Sequence, residues 1–225
     1  MLRLVSFLAA LLLPIASVAA QSKSKPEHPF SISLQGGPML SVNENSFTYV
    51  DNGHASDLIT KQAGLAFSYY FNGRFGTRLS GSYGRNAGGC NVDQTKDAEK
   101  YYPYKFDGVN IFLDGLVNLS DEWKEFSSVF YMGIGVGHTF NFTESGHPWQ
   151  KVSHKNTAYG ARVGLLFQYD FSSHFGAYLD FCGEAYEDNY NGLEPYKGDH
   201  DQVYGSAGFP YDLRGLASFG LIFHF

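Results

Sequence analysis

The groups best suited to chemistry lie in polar segments between apolar ones. His54 stands near Asp57, His147 near His154, and Asp199, His200 and Asp201 run together in "GDHDQ". Imidazoles and carboxylates of this kind could hold a divalent cation or move protons in a hydrolysis. None of their spacings matches a metal-ligand signature. Serines are plentiful, yet none sits in a G-x-S-x-G elbow or beside triad-like partners. The chain is read as non-catalytic, with no metal and no cofactor. A second set of charges is stranger: Arg74, Arg78, Asp114, Arg162, Asp180, Glu184 and Arg214 interrupt stretches otherwise built of apolar and small residues. Their meaning depends on the elements that carry them.

The first twenty residues, "MLRLVSFLAALLLPIASVAA", place Arg3 before an apolar run that closes on small residues ahead of Gln21. That is the pattern of a cleaved secretory signal, and the run is shorter than the roughly 20 apolar residues of a spanning helix. Residues 1–20 are therefore read as a signal peptide, 21–29 as a periplasmic lead and 30–225 as one domain. The 225-residue chain has 20 Phe, 16 Tyr and 26 Gly, a mix that favours many strands with tight turns or close backbone approaches. A net charge of -6 without a Lys/Arg cluster argues against nucleic acid as a partner.

Period-two alternation returns eight times. "FSISLQGGPML" sets Phe30, Ile32 and Leu34 on one face, and "KQAGLAFSYYF" sets Leu65, Phe67, Tyr69 and Phe71 together. Asn72-Gly73 then reads as a two-residue hairpin into "RFGTRLSGSYGR". "DGVNIFLDGLVNL", "SSVFYMGIGVGHTFNF", "TAYGARVGLLFQYDF" and "HFGAYLDFCGEAY" alternate likewise, and "RGLASFGLIFHF" ends the chain on Phe219, Leu221, Phe223 and Phe225. Connections alternate in length as well. Asn72-Gly73, "SDEWKEFS" and "SSH" are short, whereas segments near 43–60, 86–105, 143–157 and 187–212 are long and polar.

Short turns at one end and long loops at the other, on an even number of strands of about 9–11 residues, describe an antiparallel up-and-down transmembrane β-barrel. One face of each strand is continuously apolar, and the other carries Gly, Ser and the charged set. The apolar face is assigned to lipid and the charged face to a lumen that eight strands leave just wide enough for side chains to fill. Charges in so narrow a bore must pair. Aromatics near strand ends (Phe30, Phe71, Phe75, Phe106, Phe142, Phe171, Phe175, Phe225) are read as interface girdles. The Tyr-rich stretches "YYPYKF" and "YEDNYNGLEPY" are either further interfacial aromatics or a recognition surface. Cys90 and Cys182 fall on roughly opposite strands, so a bridge through a folded loop and two separate thiols both remain open.

The stretches "FNGRFGTRLSGSYGR", "FDGVNIFLDGLVNLSDEW" leading to "FYMGIGVGHTF", "AYGARVGLLFQYDFSSHFGAYLDF" and the ending "LASFGLIFHF" resemble the OmpA-type eight-stranded outer-membrane barrel, in its Bacteroides-like form. The resemblance implies residence in a bacterial outer membrane with both termini periplasmic. It also implies recognition of Phe219, Leu221, Phe223 and Phe225 by the barrel-assembly machinery. The sequence stops at the barrel, so the peptidoglycan-binding domain of many OmpA-like proteins is not expected. Two functions follow. One is a non-catalytic barrel with a filled lumen and four long surface loops, serving envelope structure or contact with a surface partner. The other is a narrow pore, or a barrel subunit of a transport or secretion complex.

Overall fold

The computed structural model describes residues 27–42, 55–90, 102–120, 125–143, 155–187, 190–192 and 211–225. Residues 1–20, read above as a signal peptide, lie outside them, as do the side chains of His54, Asp57, His147, His154, Asp199, His200 and Asp201. Eight strands run in chain order: β1 (Phe30–Val42), β2 (Ile59–Tyr70), β3 (Phe75–Cys90), β4 (Tyr102–Asn118), β5 (Phe126–Phe140), β6 (Lys155–Asp170), β7 (Phe175–Glu187) and β8 (Tyr211–His224). Each pairs antiparallel with the next and β8 pairs with β1, closing the barrel. A short 3-10 helix, Ala55–Leu58, precedes β2. Closure removes every free sheet edge.

The closing seam explains the aromatic ending. Phe30 and Phe225 exchange backbone hydrogen bonds, Phe30 N–H to Phe225 O at 3.3 Å and Phe225 N–H to Phe30 O at 2.9 Å. Their rings stack at 5.9 Å, Phe30 continues to Tyr69 at 4.6 Å, and Phe223 meets Phe175 at 4.9 Å. Aromatic rings thus line this rim across β2, β1, β8 and β7. Phe219, Leu221, Phe223 and Phe225 all face outward, where the sequence places them.

Three expectations of local structure are corrected. Asn72-Gly73 does not form a two-residue mirror-image turn, which needs positive φ at both positions; among the described residues only Asn141 and Gly192 have positive φ. The Asn72 side chain instead accepts the N–H groups of Arg74 and Phe75, both at 2.8 Å, in a four-residue loop. Ser172 plays the same part before β7, accepting Phe175 N–H at 3.0 Å. The β3–β4 hairpin continues to the pair Cys90 and Tyr102, inside the segment read as loop. Its Gly-rich run shows no alternation, but Gly88 leaves the space that the Tyr104 ring fills. Lastly, Phe106 and Phe142 are not girdle residues. They stack on each other at 4.9 Å in an internal cluster with Tyr104, because positive φ at Asn141 breaks the alternation that would have turned Phe142 outward.

The exterior is apolar over the height of the barrel, with Leu65, Phe67, Leu113, Ile134, Phe181 and Phe219 each at least half exposed. Soluble monomers rarely expose contiguous apolar patches beyond a few hundred Å². A bilayer removes that cost and accepts only closed barrels or helices. Leu165 stands on this belt, 39% exposed. Leu165→Arg is expected to lower stability by about 2–4 kcal/mol in bilayers, read by urea unfolding in vesicles. Unchanged stability would place that face in water.

Candidate functional site: the charged lumen

Alternation alone puts Arg78, Asp114, Arg162, Glu184 and Arg214 on the inner face. Register puts them on one row. Arg78 stands opposite Asp114, Asp114 opposite Gly133, Gly133 opposite Arg162, Arg162 opposite Glu184, and Glu184 opposite Arg214. Positive and negative side chains therefore alternate around six consecutive strands, with one glycine between Asp114 and Arg162. That glycine is required: a Cβ at Gly133 would run into the Asp114 carboxylate and the Leu113 carbonyl. The gap lets Arg162 reach across β5 to Asp114.

Asp114 is the hub. Its carboxylate accepts Arg78 Nε at 2.8 Å and Arg162 Nε at 2.7 Å, and Arg162 Nη2 bonds both the same carboxylate and Ser80 Oγ. Arg162 Nη1 lies 3.7 Å from Glu184, and Arg214 Nη1 lies 3.3 Å from the other oxygen of Glu184. Asp180 sits on the same face of β7, beyond Cys182 and nearer the short-turn end. It approaches Arg78 Nη1 at 3.5 Å across the bore and accepts the Tyr131 hydroxyl at 2.7 Å. Three guanidinium groups thus meet three carboxylates, all with side chains at most 6% exposed. Charges so dry are tolerable only when paired and fully hydrogen-bonded.

Aromatic rings cover both sides of the row. Arg78 lies 3.9 Å from the Tyr131 ring centre, and Arg162 lies 4.4 Å from that of Phe112. Tyr186 donates to Glu184 at 2.9 Å, while Arg214 donates to the Tyr190 hydroxyl at 2.7 Å and to Met39 Sδ at 3.1 Å. Tyr190 belongs to the segment after β7, yet it stacks on Tyr186 at 4.0 Å and donates to Asn110 at 3.0 Å. Thr139 holds it in place by donating to its carbonyl at 3.1 Å. Phe106, Phe142 and Tyr104 complete this upper layer. Below the row, Tyr70, Leu116, Val129, Leu166, Tyr178 and Ile222 pack against Tyr131. A void of about 20 Å³ beside Arg78 and Tyr70 has room for about one water.

Arg74 does not join the network. It lies in the turn between β2 and β3, outside the ladder, and forms no ion pair among the described residues. The reason is the longer turn: the side-chain cap from Asn72 takes Arg74 out of strand alternation. Of the two cysteines, the side chain of Cys90 lies outside the described residues. Cys182 is a free thiol on the inner face of β7, opposite Gly164 and Leu216. Tyr104, Tyr186 and Tyr190, read as interfacial or surface aromatics, are buried at 2% exposure or less inside the barrel. Sequence reasoning missed Tyr190 and Met39 as members of the cluster. Tyr131 and Tyr178 were legible, since they share the charged face.

A closed, side-chain-filled barrel with short turns at one end defines the small OmpA-like outer-membrane barrel fold. The chain is similar to Neisserial surface protein A, with 11% identity over 87% of this chain and 97% of that one, at a TM-score of 0.50. It is also similar to the outer membrane protein OprG from Pseudomonas aeruginosa, with 11% identity over 91% and 99% of the two chains and a TM-score of 0.51. At that identity the likeness is one of fold. No protein-family model and no curated protein matches the sequence.

Asp114 and Glu184 make the network sensitive to loss of a single cation. Arg162→Leu is expected to lower stability by roughly 3–5 kcal/mol, because it leaves both carboxylates short of a dry partner. Arg74→Leu, at the turn, should cost under about 1 kcal/mol. Denaturant unfolding in detergent compares the two, and equal losses would mean that the lumen charges are solvated.

Proposed function

We propose that this chain is an outer-membrane protein with a non-conducting barrel, whose work is done by its surface rather than by chemistry in its lumen. The observation that carries this reading is the dry row from Arg78 to Arg214, sealed above by Tyr186 and Tyr190. A hydrated ion needs a continuous wet path, and each step through this row would break a charge pair that nothing else satisfies. No catalytic role follows from groups so fully engaged.

In this reading residues 1–20 are removed on export, both termini face the periplasm, and the four long segments face outward to support the envelope or meet a surface partner. The outward-facing Phe219, Leu221, Phe223 and Phe225 present an aromatic closing strand to the assembly machinery. The pore reading differs in one measurable way. Purified protein in planar bilayers is expected to show no steady conductance steps; large, stable steps would establish the pore instead. Orientation has its own check. A tag inserted at Asn91 should be antibody-accessible on intact cells and one at Ser173 should not, and the reverse pattern would invert the topology.

A further inference from the structure

The apolar exterior is not uniform. Across β7, β8, β1 and β2 it sinks into a groove of about 550 Å³ whose walls include Phe181, Ala217, Pro38, Leu40 and Ile59. Two outward glycines make it. Gly183 and Gly215 stand opposite each other, and a Cβ on either would meet nothing within 4 Å. Gly81 and Gly115 also face outward, but each stands between side chains, Leu65 and Ile111 or Thr77 and Met132, whereas Gly183 and Gly215 pair with each other and leave a strip of wall with no side chains.

The edge of this groove is cationic. Lys61 stands directly opposite Pro38, and Arg85 directly opposite Lys61; both are exposed on the outer face. Cross-strand neighbours of this kind lie about 5 Å apart at Cβ. Asp107 stands directly opposite Arg85 on the next strand; it is buried and is engaged by Tyr83 and by Asn141 Nδ2, which donates to it at 3.0 Å. The height is informative too. Lys61 is eight positions along β2 from Tyr69 in the lower aromatic rim, which at the rise and tilt of barrel strands is roughly 20 Å. An apolar band about 25 Å tall therefore ends near these two cations. That is the depth of headgroup phosphates in the far leaflet.

We propose that this groove binds a phosphorylated membrane lipid, with an acyl chain lying over Gly183 and Gly215 and the phosphate held by Lys61 and Arg85. Charge complementarity selects the occupant. A purely apolar partner would leave the two cations unused, and a soluble anion would leave the groove empty. The inference rests on the membrane-barrel reading above.

The test uses the full mature chain in micelles, with phosphatidylglycerol and phosphatidylcholine of identical chains as probes and native mass spectrometry as the readout. Phosphatidylglycerol is expected to be retained preferentially. Lys61→Gln and Arg85→Gln should each reduce that preference about fivefold. Gly215→Leu, whose Cβ would meet nothing within 4 Å, fills the groove and should reduce retention of both lipids. Lys155→Gln, an exposed cation at the start of β6, should change nothing. Equal retention in parent and variants would overturn the proposal, as would an equal effect of Lys155→Gln, which would mean a general surface charge. Displacement of phosphatidylglycerol by inorganic phosphate alone would also overturn it, leaving a bare anion site. The membrane reading fails by a separate sign: a parent protein that stays folded and soluble without detergent.

Discussion

The lumen depends on one carboxylate shared by two guanidinium groups. Asp114 holds Arg78 and Arg162 from strands on either side, and those two arginines reach the remaining carboxylates, Asp180 and Glu184. Each dry ion carries a desolvation penalty of several kcal/mol that only its neighbours offset. The row is therefore collective, since no member is tolerable alone. That makes a poor source of raw stability and a strict selector of register. A slip of one residue between two strands would turn a charge into lipid and an apolar side chain into the bore. The network fixes which residues of β3, β4, β6, β7 and β8 stand opposite one another, and the barrel closes in that register.

Small residues and large rings are arranged as complements around this row. Gly133 opens the path from Arg162 to Asp114, Gly164 lies under the Tyr131 ring, and Gly220 under the Tyr178 ring. Tyr131 and Tyr178 in turn end in hydroxyls that find Asp180 and Gln35, at 2.7 and 3.0 Å. An eight-stranded bore has room for one large side chain at a given height only where its neighbours are small. Tyrosine suits such a position better than phenylalanine because its tip can complete a polar network. The abundance of both Gly and Tyr in the sequence is this packing rule seen in composition.

How much of this was legible beforehand follows from what period-two alternation encodes. It gives each residue's face, so the eight strands, the outer belt and the inner placement of Arg78, Asp114, Arg162, Asp180, Glu184 and Arg214 could be read. It does not give register, so the alternation of charges along one row was invisible until Arg162 was seen opposite Glu184 and Gly133. It also fails where the backbone leaves the strand. The side-chain cap at Asn72 removed Arg74 from the inner face, and positive φ at Asn141 turned Phe142 inward. Tyr190 carried no signal at all, because a residue beyond a strand end has no face until the segment folds back over the mouth. The lower rim, fixed by local alternation up to Phe225, was the most predictable part; the upper mouth, closed by long-range contacts, was the least.

A filled lumen also bears on where recognition can occur. With the interior committed to its own charge pairs, the groups left to meet other molecules lie on the outer wall and in the outward segments. On the wall the belt is nearly continuous, because lipid tails reward uniform apolar cover and penalise exposed backbone. A strip bared by Gly183 and Gly215 departs from that rule at a place where no internal packing demands small residues, since a Cβ at either position would point into open space. Internal glycines such as Gly133 are explained by the side chains they admit from within. The paired outer ones, Gly183 and Gly215, have no such explanation from within, and Lys61 and Arg85 give the groove they open a cationic edge.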